Sequence, residues 1–288
     1  MGTANNGASR LLDKNMIKEG VCAPVSVVIP CFRCAGAIER ALASVAQQSM
    51  RPSELILVDD ASGDGTLAVL HALEAAYPGW VKVLQLEENR GAAGARNAGW
   101  AVASQPYIAF LDADDAWHPK KIEIQYAYMA AHPAVVLCGH GHRLLNQDDV
   151  LPDWAVAQCD AQRIHKWGML LANKFVTPSV MVRRDVACRF VEKQRHMEDH
   201  MLWLQIICSG ACVVKLSAEL AAIYKGPFGV MGLSSQMWLM ERGDLGNYRR
   251  LYRAKLINGF QLAALGIYSL LKYVRRLLLH WGYLRWKR

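Results

Sequence analysis

Residues 25–49 read VSVVIPCFRCAGAIERALASVAQQS. The first six, VSVVIP, form an apolar, largely β-branched run closed by proline, the pattern of a strand buried on both faces. After a short break, Ile38, Ala41, Leu42 and Val45 recur at helical spacing and define an amphipathic helix. A doubly buried strand leading into a helix is the repeating unit of a parallel sheet, because parallel neighbours need a crossover connection.

The unit recurs three times. ELILVDD (54–60) is followed by DGTLAVLHALEAAYP (64–78), VKVLQLEEN (81–89) by AAGARNAGWAVAS (92–104), and YIAFLDADD (107–115) by PKKIEIQYAYMAAHP (119–133). Pro78 ends the second helix, and Pro119 suits a first helical turn. The alternation predicts an α/β fold with a mostly parallel, Rossmann-like sheet and helices on both faces.

The 288 residues are 53% hydrophobic and 20% charged, the balance of a globular chain with ample length for a core. Residues 1–22 lack the apolar centre of a signal peptide and read as a mobile leader. Eight cysteines are scattered; CFRC (31–34) has no second pair nearby, so reduced thiols are expected rather than zinc. From Arg242 onward there are 11 Lys/Arg and one acid, Asp244, giving +10, which leaves the body at −2. A nearly neutral body excludes the basic footprint of a nucleic-acid-binding surface, so no nucleic-acid partner is expected.

In such sheets ligands bind beyond the carboxyl ends of the strands. Asp59 and Asp60 stand at the end of the second strand, and Asp112, Asp114 and Asp115 at the end of the fourth. A single strand-end aspartate ordinarily caps the next helix or closes a turn. Three together repel one another, and a cap needs only one. Oxygen-only ligands at this density suit Mg²⁺ or Mn²⁺ completed by a diphosphate.

VSVVIPCFRCAGAIERALASVAQQS, ELILVDDASGDGT, NRGAAGARNAGW and FLDADDAWHPKKIE together resemble the GT-A fold glycosyltransferases of family 2. The likeness spans about residues 25–224. It implies a metal-dependent, inverting transfer of a sugar from a nucleoside diphosphate donor, such as a UDP-, GDP- or dTDP-sugar. It implies that Asp60 contacts the nucleobase with Asp59 beside it, and that Pro30 and Phe32 line the nucleoside pocket. It places Asp112 and Asp114 of the D-x-D on ribose and metal, with Asp115 sharing the metal, and Arg96 helping to neutralise diphosphate. In HMEDHMLWLQII (196–207) the acids open a helix, which the macrodipole alone would favour. The resemblance makes Asp199 the catalytic base, and Glu198 beside it is expected near the acceptor. Trp117, next to the acids, is the tryptophan expected to meet sugar. GAAGARNAG is a poor dinucleotide fingerprint, since it follows the third strand. HGH (140–142) reads as a strand.

The organisation expected is a leader over 1–22, a GT-A domain over 23–225 and a helical basic tail over 226–288. Sixteen uncharged residues, LINGFQLAALGIYSLL (256–271), are too few to span a bilayer, and KYVRRLLLHWGYLRWKR (272–288) mixes cations with Leu, Trp and Tyr. Such a tail suits the membrane interface. That implies a peripheral position on the cytoplasmic face and a lipid-linked or oligosaccharide acceptor for a surface polysaccharide. Gly282 stands where processive relatives carry the glutamine of Q-x-x-R-W, which points to single addition. A polyprenyl-phosphate glycosyltransferase is the nearest alternative. A sugar nucleotidyltransferase would need a G-x-G-T-R loop that PCFRCAG does not supply, and a non-catalytic module would bind donor without turnover.

Overall fold

The structure is a computed structural model and describes residues 22–146, 149–156, 159–224 and 237–286. The expected leader, apart from Cys22, therefore lies outside the described residues, as does the boundary drawn at 225–226.

Four strands and three crossover helices build the first half. They run β1 (Ala23–Cys31), α1 (Ile38–Ala46), β2 (Pro52–Asp59), α2 (Thr66–Ala76), β3 (Val81–Gln85), α3 (Gly91–Val102) and β4 (Tyr107–Phe110). The sheet order β3-β2-β1-β4 is parallel throughout. β1 lies between two strands, and its residues divide between the faces: Val27 and Ile29 join one core and Val28 the other. This is why the run alternates in neither polarity nor size.

The second half departs from the expected mostly parallel arrangement. It comprises β5 (Ala116–Trp117), α4 (Lys121–Ala131), β6 (Val135–Leu145), β7 (Ala161–Arg163), α5 (Lys166–Leu171), β8 (Met181–Arg183), α6 (Glu198–Cys208) and β9 (Cys212–Tyr224). β8 pairs antiparallel with both β4 and β6, and β6 pairs parallel with β9. β5 and β7 are antiparallel additions to β9. The result is one mixed sheet, with HGH inside β6 as expected.

Helices α1, α2 and α4 cover one face, packing Ile38, Leu42, Leu70, Ile122 and Met129 into the first core. On the other face α3, α5 and α6 pack Trp100, Met169, Leu202 and Trp203. α3 approaches β1 so closely that a Cβ on Gly99 would lie 2.4 Å from Val28 Cγ1, so only glycine fits there.

Two further helices, α7 (Met237–Arg253) and α8 (Gly259–Trp286), follow. α7 adds Tyr248 and Leu251 to the second core, and α8 adds Leu265. Lys272 Nζ donates to the Leu171 carbonyl at 3.0 Å, and Arg276 pairs with buried Glu241 at 2.9 Å. The tail thus packs on the domain along one side of α8. Along the other, Phe260, Ile267, Leu271, Val274 and Leu278 stay exposed at spacings of seven, four, three and four. No helix among the described residues is long and apolar enough to cross a membrane.

Candidate active site

The strand order reverses between β1 and β4, and the crevice beyond the carboxyl ends there is where such sheets take ligands. A cavity of about 1140 Å³ opens on this edge. Phe32, Asp60, Asn89 and Arg90 line one side, and residues 192–195 with Glu198 the other. Ligand pockets run on the order of 300–1,000 Å³, so a nucleotide-sized molecule fits.

The two strand-two acids have different tasks. Asp59 is buried and accepts Ser62 Oγ at 2.5 Å, which closes the turn after β2. Asp60 faces the cavity, with Oδ1 accepting the Arg90 N–H at 2.7 Å. Burial raises the Asp60 pKa against the pull of the Arg90 and Gly91 amides. Asn89 Nδ2 donates to the Asp60 carbonyl at 3.0 Å, so the turn after β3 is tied to the end of β2. Pro30 is half-buried next to the last residue of β1, and Phe32 projects into solvent with the Arg33 guanidinium 5.2 Å from its ring centre.

β4 stops at Phe110, so the acids stand in a tight turn rather than on the strand. The Asp115 N–H donates to the Asp112 carbonyl at 3.1 Å, and β5 begins directly afterwards. The three carboxylates diverge from there. Asp112 Oδ1 lies 2.7 Å from Arg96 Nη2. Asp114 is exposed, its backbone carbonyl accepting Arg40 Nη2 at 2.5 Å. Its pKa is raised, first by crowding from surrounding chain and then by Asp112, with Arg40 and Arg96 pulling the other way. Asp115 is buried, and its Oδ1 accepts the Tyr224 N–H at 2.9 Å. Through this bond the carboxylate expected to share the metal also fastens β9 to the turn. Asp114 and the neighbouring Asp112 remain suited to a hard cation, because both supply oxygen and repel one another in its absence. Among the described residues no three His, Cys, Asp or Glu side chains converge on a metal position, so water and diphosphate oxygens would have to supply the rest.

Arg96 is the hub of the site. It is buried on α3, and its second terminal nitrogen, Nη1, lies 3.2 Å from Glu198 Oε1. Burial opposes its charge, but Asp112 and Glu198 override that and hold it protonated. Both terminal nitrogens are directed at protein carboxylates, Asp112 and Glu198. Arg96 joins the fourth strand's acids to the start of α6.

Glu198 and Asp199 open α6. Burial raises the Glu198 pKa, and Arg96 opposes the rise. Asp199 is half-buried; Oδ2 accepts Asn173 Nδ2 at 3.2 Å and Oδ1 accepts the His200 N–H at 2.6 Å. Burial raises its pKa too, against His200, Arg96 and Asn173. A carboxylate with a raised pKa is a better proton acceptor near neutrality. Asn173 has no sequence signal. Asn89 and Arg90 had one, since they follow β3 at the same sheet edge.

Trp117, the tryptophan expected to meet sugar, lies in the core. Its relative exposure is 0%, Nε1 donates to the Pro178 carbonyl at 2.8 Å, and Lys121 Nζ stands 3.8 Å from the ring centre. Pairing of β5 with β9 turns this ring into the core although its chain neighbours are acids.

The Glycosyl transferase family 2 model matches residues 26–185. The E. coli UDP-Glc:alpha-D-GlcNAc-diphosphoundecaprenol beta-1,3-glucosyltransferase WfgD is 30% identical over 185 residues, covering 64% of this chain and 69% of WfgD. Among solved structures, S. aureus TarS in complex with UDP superposes with a TM-score of 0.59 at 20% identity, over 78% of this chain and 65% of TarS. The mannosyltransferase PcManGT from Pyrobaculum calidifontis, in complex with GDP-Man and Mn2+, gives 0.61 at 16% identity, over 91% of this chain and 76% of PcManGT. Those likenesses carry the GT-A fold, and the family match over more than half the chain, on the strands and loops that build one side of the cavity, makes this protein a member of glycosyl transferase family 2.

Proposed function

We propose that the protein transfers one sugar, with inversion, from a nucleoside diphosphate donor to a hydroxyl of a lipid-linked glycan, in surface polysaccharide assembly. The observation that carries this reading is the convergence of acids from two chain regions, Asp112 and the pair Glu198 and Asp199, around or beside Arg96 at the mouth of a cavity that Asp60 lines. In this scheme Asp60 and Phe32 hold the nucleoside. Asp199 takes the acceptor hydroxyl's proton, and that oxygen attacks the anomeric carbon from the face opposite the diphosphate, which leaves with the bonding pair. The raised pKa of Asp199 suits the proton transfer. Asp114, with Asp112, is placed to hold a Mg²⁺ or Mn²⁺ whose charge would stabilise the leaving diphosphate. PcManGT, solved in complex with GDP-Man and Mn2+, supports that chemistry. WfgD, whose name specifies a sugar on diphosphoundecaprenol as acceptor, supports a lipid-linked one.

A peripheral position on the inner membrane face is part of this reading, and the exposed stripe of α8 supports the membrane contact. Its apolar residues lie on one side of a helix that also carries exposed Arg275. A separate tail domain over 226–288 is not favoured, because α7 and α8 contribute to the main core. Asp199→Asn keeps shape but cannot accept the proton. Turnover is expected to fall roughly 10²-fold or more with donor affinity retained. Unchanged turnover with lost donor binding would move Asp199 to the donor site.

A further inference from the structure

α7 buries three polar residues, Glu241, Asp244 and Asn247, on its inner side. Glu241 meets Arg276 of α8, but the other two reach into the active-site wall. Asp244 Oδ1 lies 3.1 Å from His200 Nδ1, next to Asp199. Asn247, with no exposed surface, donates from Nδ2 to the Met197 carbonyl at 2.9 Å and accepts Gln194 Nε2 on Oδ1 at 2.9 Å. Gln194 also accepts Arg250 Nη1 at 2.8 Å and lines the cavity.

Met197 is the residue before Glu198-Asp199, and its φ of 58° puts it in the left-handed region. A methionine there is strained and persists where surroundings over-determine it. Its carbonyl is held both by Asn247 and by the Met201 N–H at 3.1 Å, in the first turn of α6. α7 also comes close enough that a Cβ on Gly243 would lie 2.9 Å from the His196 carbonyl and 3.1 Å from Met197 Cγ.

We propose that Asn247 is a positioning residue for the transfer: through Met197 it sets the direction in which α6 presents Asp199, and through Gln194 it holds the wall of the donor cavity. The helix after the last strand of the sheet is then part of the active-site framework rather than an appendage. The two arms serve different steps. The Met197 arm governs aim of the base, and hence kcat; the Gln194 arm, shared with Arg250, governs the cavity wall, and hence donor KM. Displacing a reacting group by about 1 Å can cost on the order of 10²-fold.

The inference rests on Asp199 as base, which Asp199→Asn tests by itself. Asn247→Asp keeps an acceptor for Gln194 and removes the donor to Met197, so kcat is expected to fall about tenfold or more with donor KM within roughly threefold. Arg250→Ala removes one of the bonds on Gln194, leaving those to Asn247 and the His196 carbonyl, and is expected to raise donor KM by about threefold or more with kcat nearly kept. Gly243→Ala pushes on His196 and Met197 without deleting a hydrogen bond, and should reproduce the kcat loss if Asn247→Asp folds poorly. All rates are measured on the full chain and normalised to the folded fraction by circular dichroism. Crossed effects support the proposal. Losses that track the folded fraction, or both variants moving the same parameter, overturn it. A failed Asp199→Asn result with crossed effects intact would dismiss the base assignment and keep the framework role of α7.

Discussion

Removing the Arg96 guanidinium tests the site at its hub. Arg96→Met keeps much of the buried stem but leaves Asp112 and Glu198 facing each other without the cation that now lies 2.7 Å and 3.2 Å from them. Breaking a buried pair by deleting one partner costs about 3–5 kcal/mol. Asp112 is about a third exposed (31%) and Glu198 is 12% exposed, so water screens Asp112's part and the lower end, about 3 kcal/mol, applies. For a domain of this size each kcal/mol moves Tm by roughly 2–4 °C, which gives a fall of about 6–12 °C. The loss should shrink at acid pH. Burial already holds the Glu198 pKa above its ordinary value, and without Arg96 it rises further. The folded variant then binds a proton more readily than the unfolded chain, so its stability is recovered as pH falls through that pKa. Arg96→Lys should recover only part, since one ammonium cannot present two parallel donors to two carboxylates. Thermal melts of the three proteins between pH 5 and 8 provide the measurement. A Met variant that melts within about 2 °C of the parent at pH 8, or a gap that widens on acidification, would refute the view that Arg96 compensates these acids.

Other consequences can be checked directly. Asp114→Ala is expected to abolish transfer and the Mn²⁺-dependent part of donor binding by calorimetry, and full activity in excess chelator would remove metal from the mechanism. Burial pushes Glu54 up, but Lys82, Ser26 and Ser104 override it and bring the carboxyl from 4.5 to about 2. The unfolded chain therefore takes the proton first on acidification, and about 3 kcal/mol of stability should be lost as pH falls from about 4.5 to about 2; an equal acid limb in the Tm profile of Glu54→Gln would contradict this. Changing Ile267, Leu271, Val274 and Leu278 to Ser should weaken salt-sensitive sedimentation with anionic liposomes while leaving donor binding alone, and unchanged sedimentation would take α8 off the membrane.

The first half of the fold was legible because doubly buried strands and amphipathic helices leave different periods in the sequence. The functional edge followed from topology: once β1, β2 and β4 are parallel, Asp60 and Asp112 must emerge on one side. The antiparallel second half was not legible. β8 is three residues long, and nothing in Met-Val-Arg specifies its direction; contacts with β4 and β6 do. Trp117 misled because nearness along the chain to three acids says nothing of facing, and a two-residue pairing with β9 decided that. The roles of Asn173 and Asn247 were hidden for a related reason. Each acts on α6 from a distant segment, and a single asparagine has no periodicity to betray it.

The carboxylates at the end of β4 present one electrostatic problem with three local answers. Asp112 has Arg96, a buried cation that Glu198 shares. Asp115 has the Tyr224 amide, which suits a buried carboxylate serving as a structural tie. Asp114 has neither: among the described residues it forms no ion pair, and Arg40 and Arg96 lower its pKa less than crowding and Asp112 raise it. Among the described residues its charge is thus the least compensated of the three, and it stands at the solvent-facing side of the turn. A cation arriving with a diphosphate would gain most at that carboxylate, whereas Asp115 already accepts a backbone hydrogen bond that fixes β9. The three acids along four residues therefore stand in three different electrostatic settings, and the proposed metal role falls to the middle one, the most exposed of them.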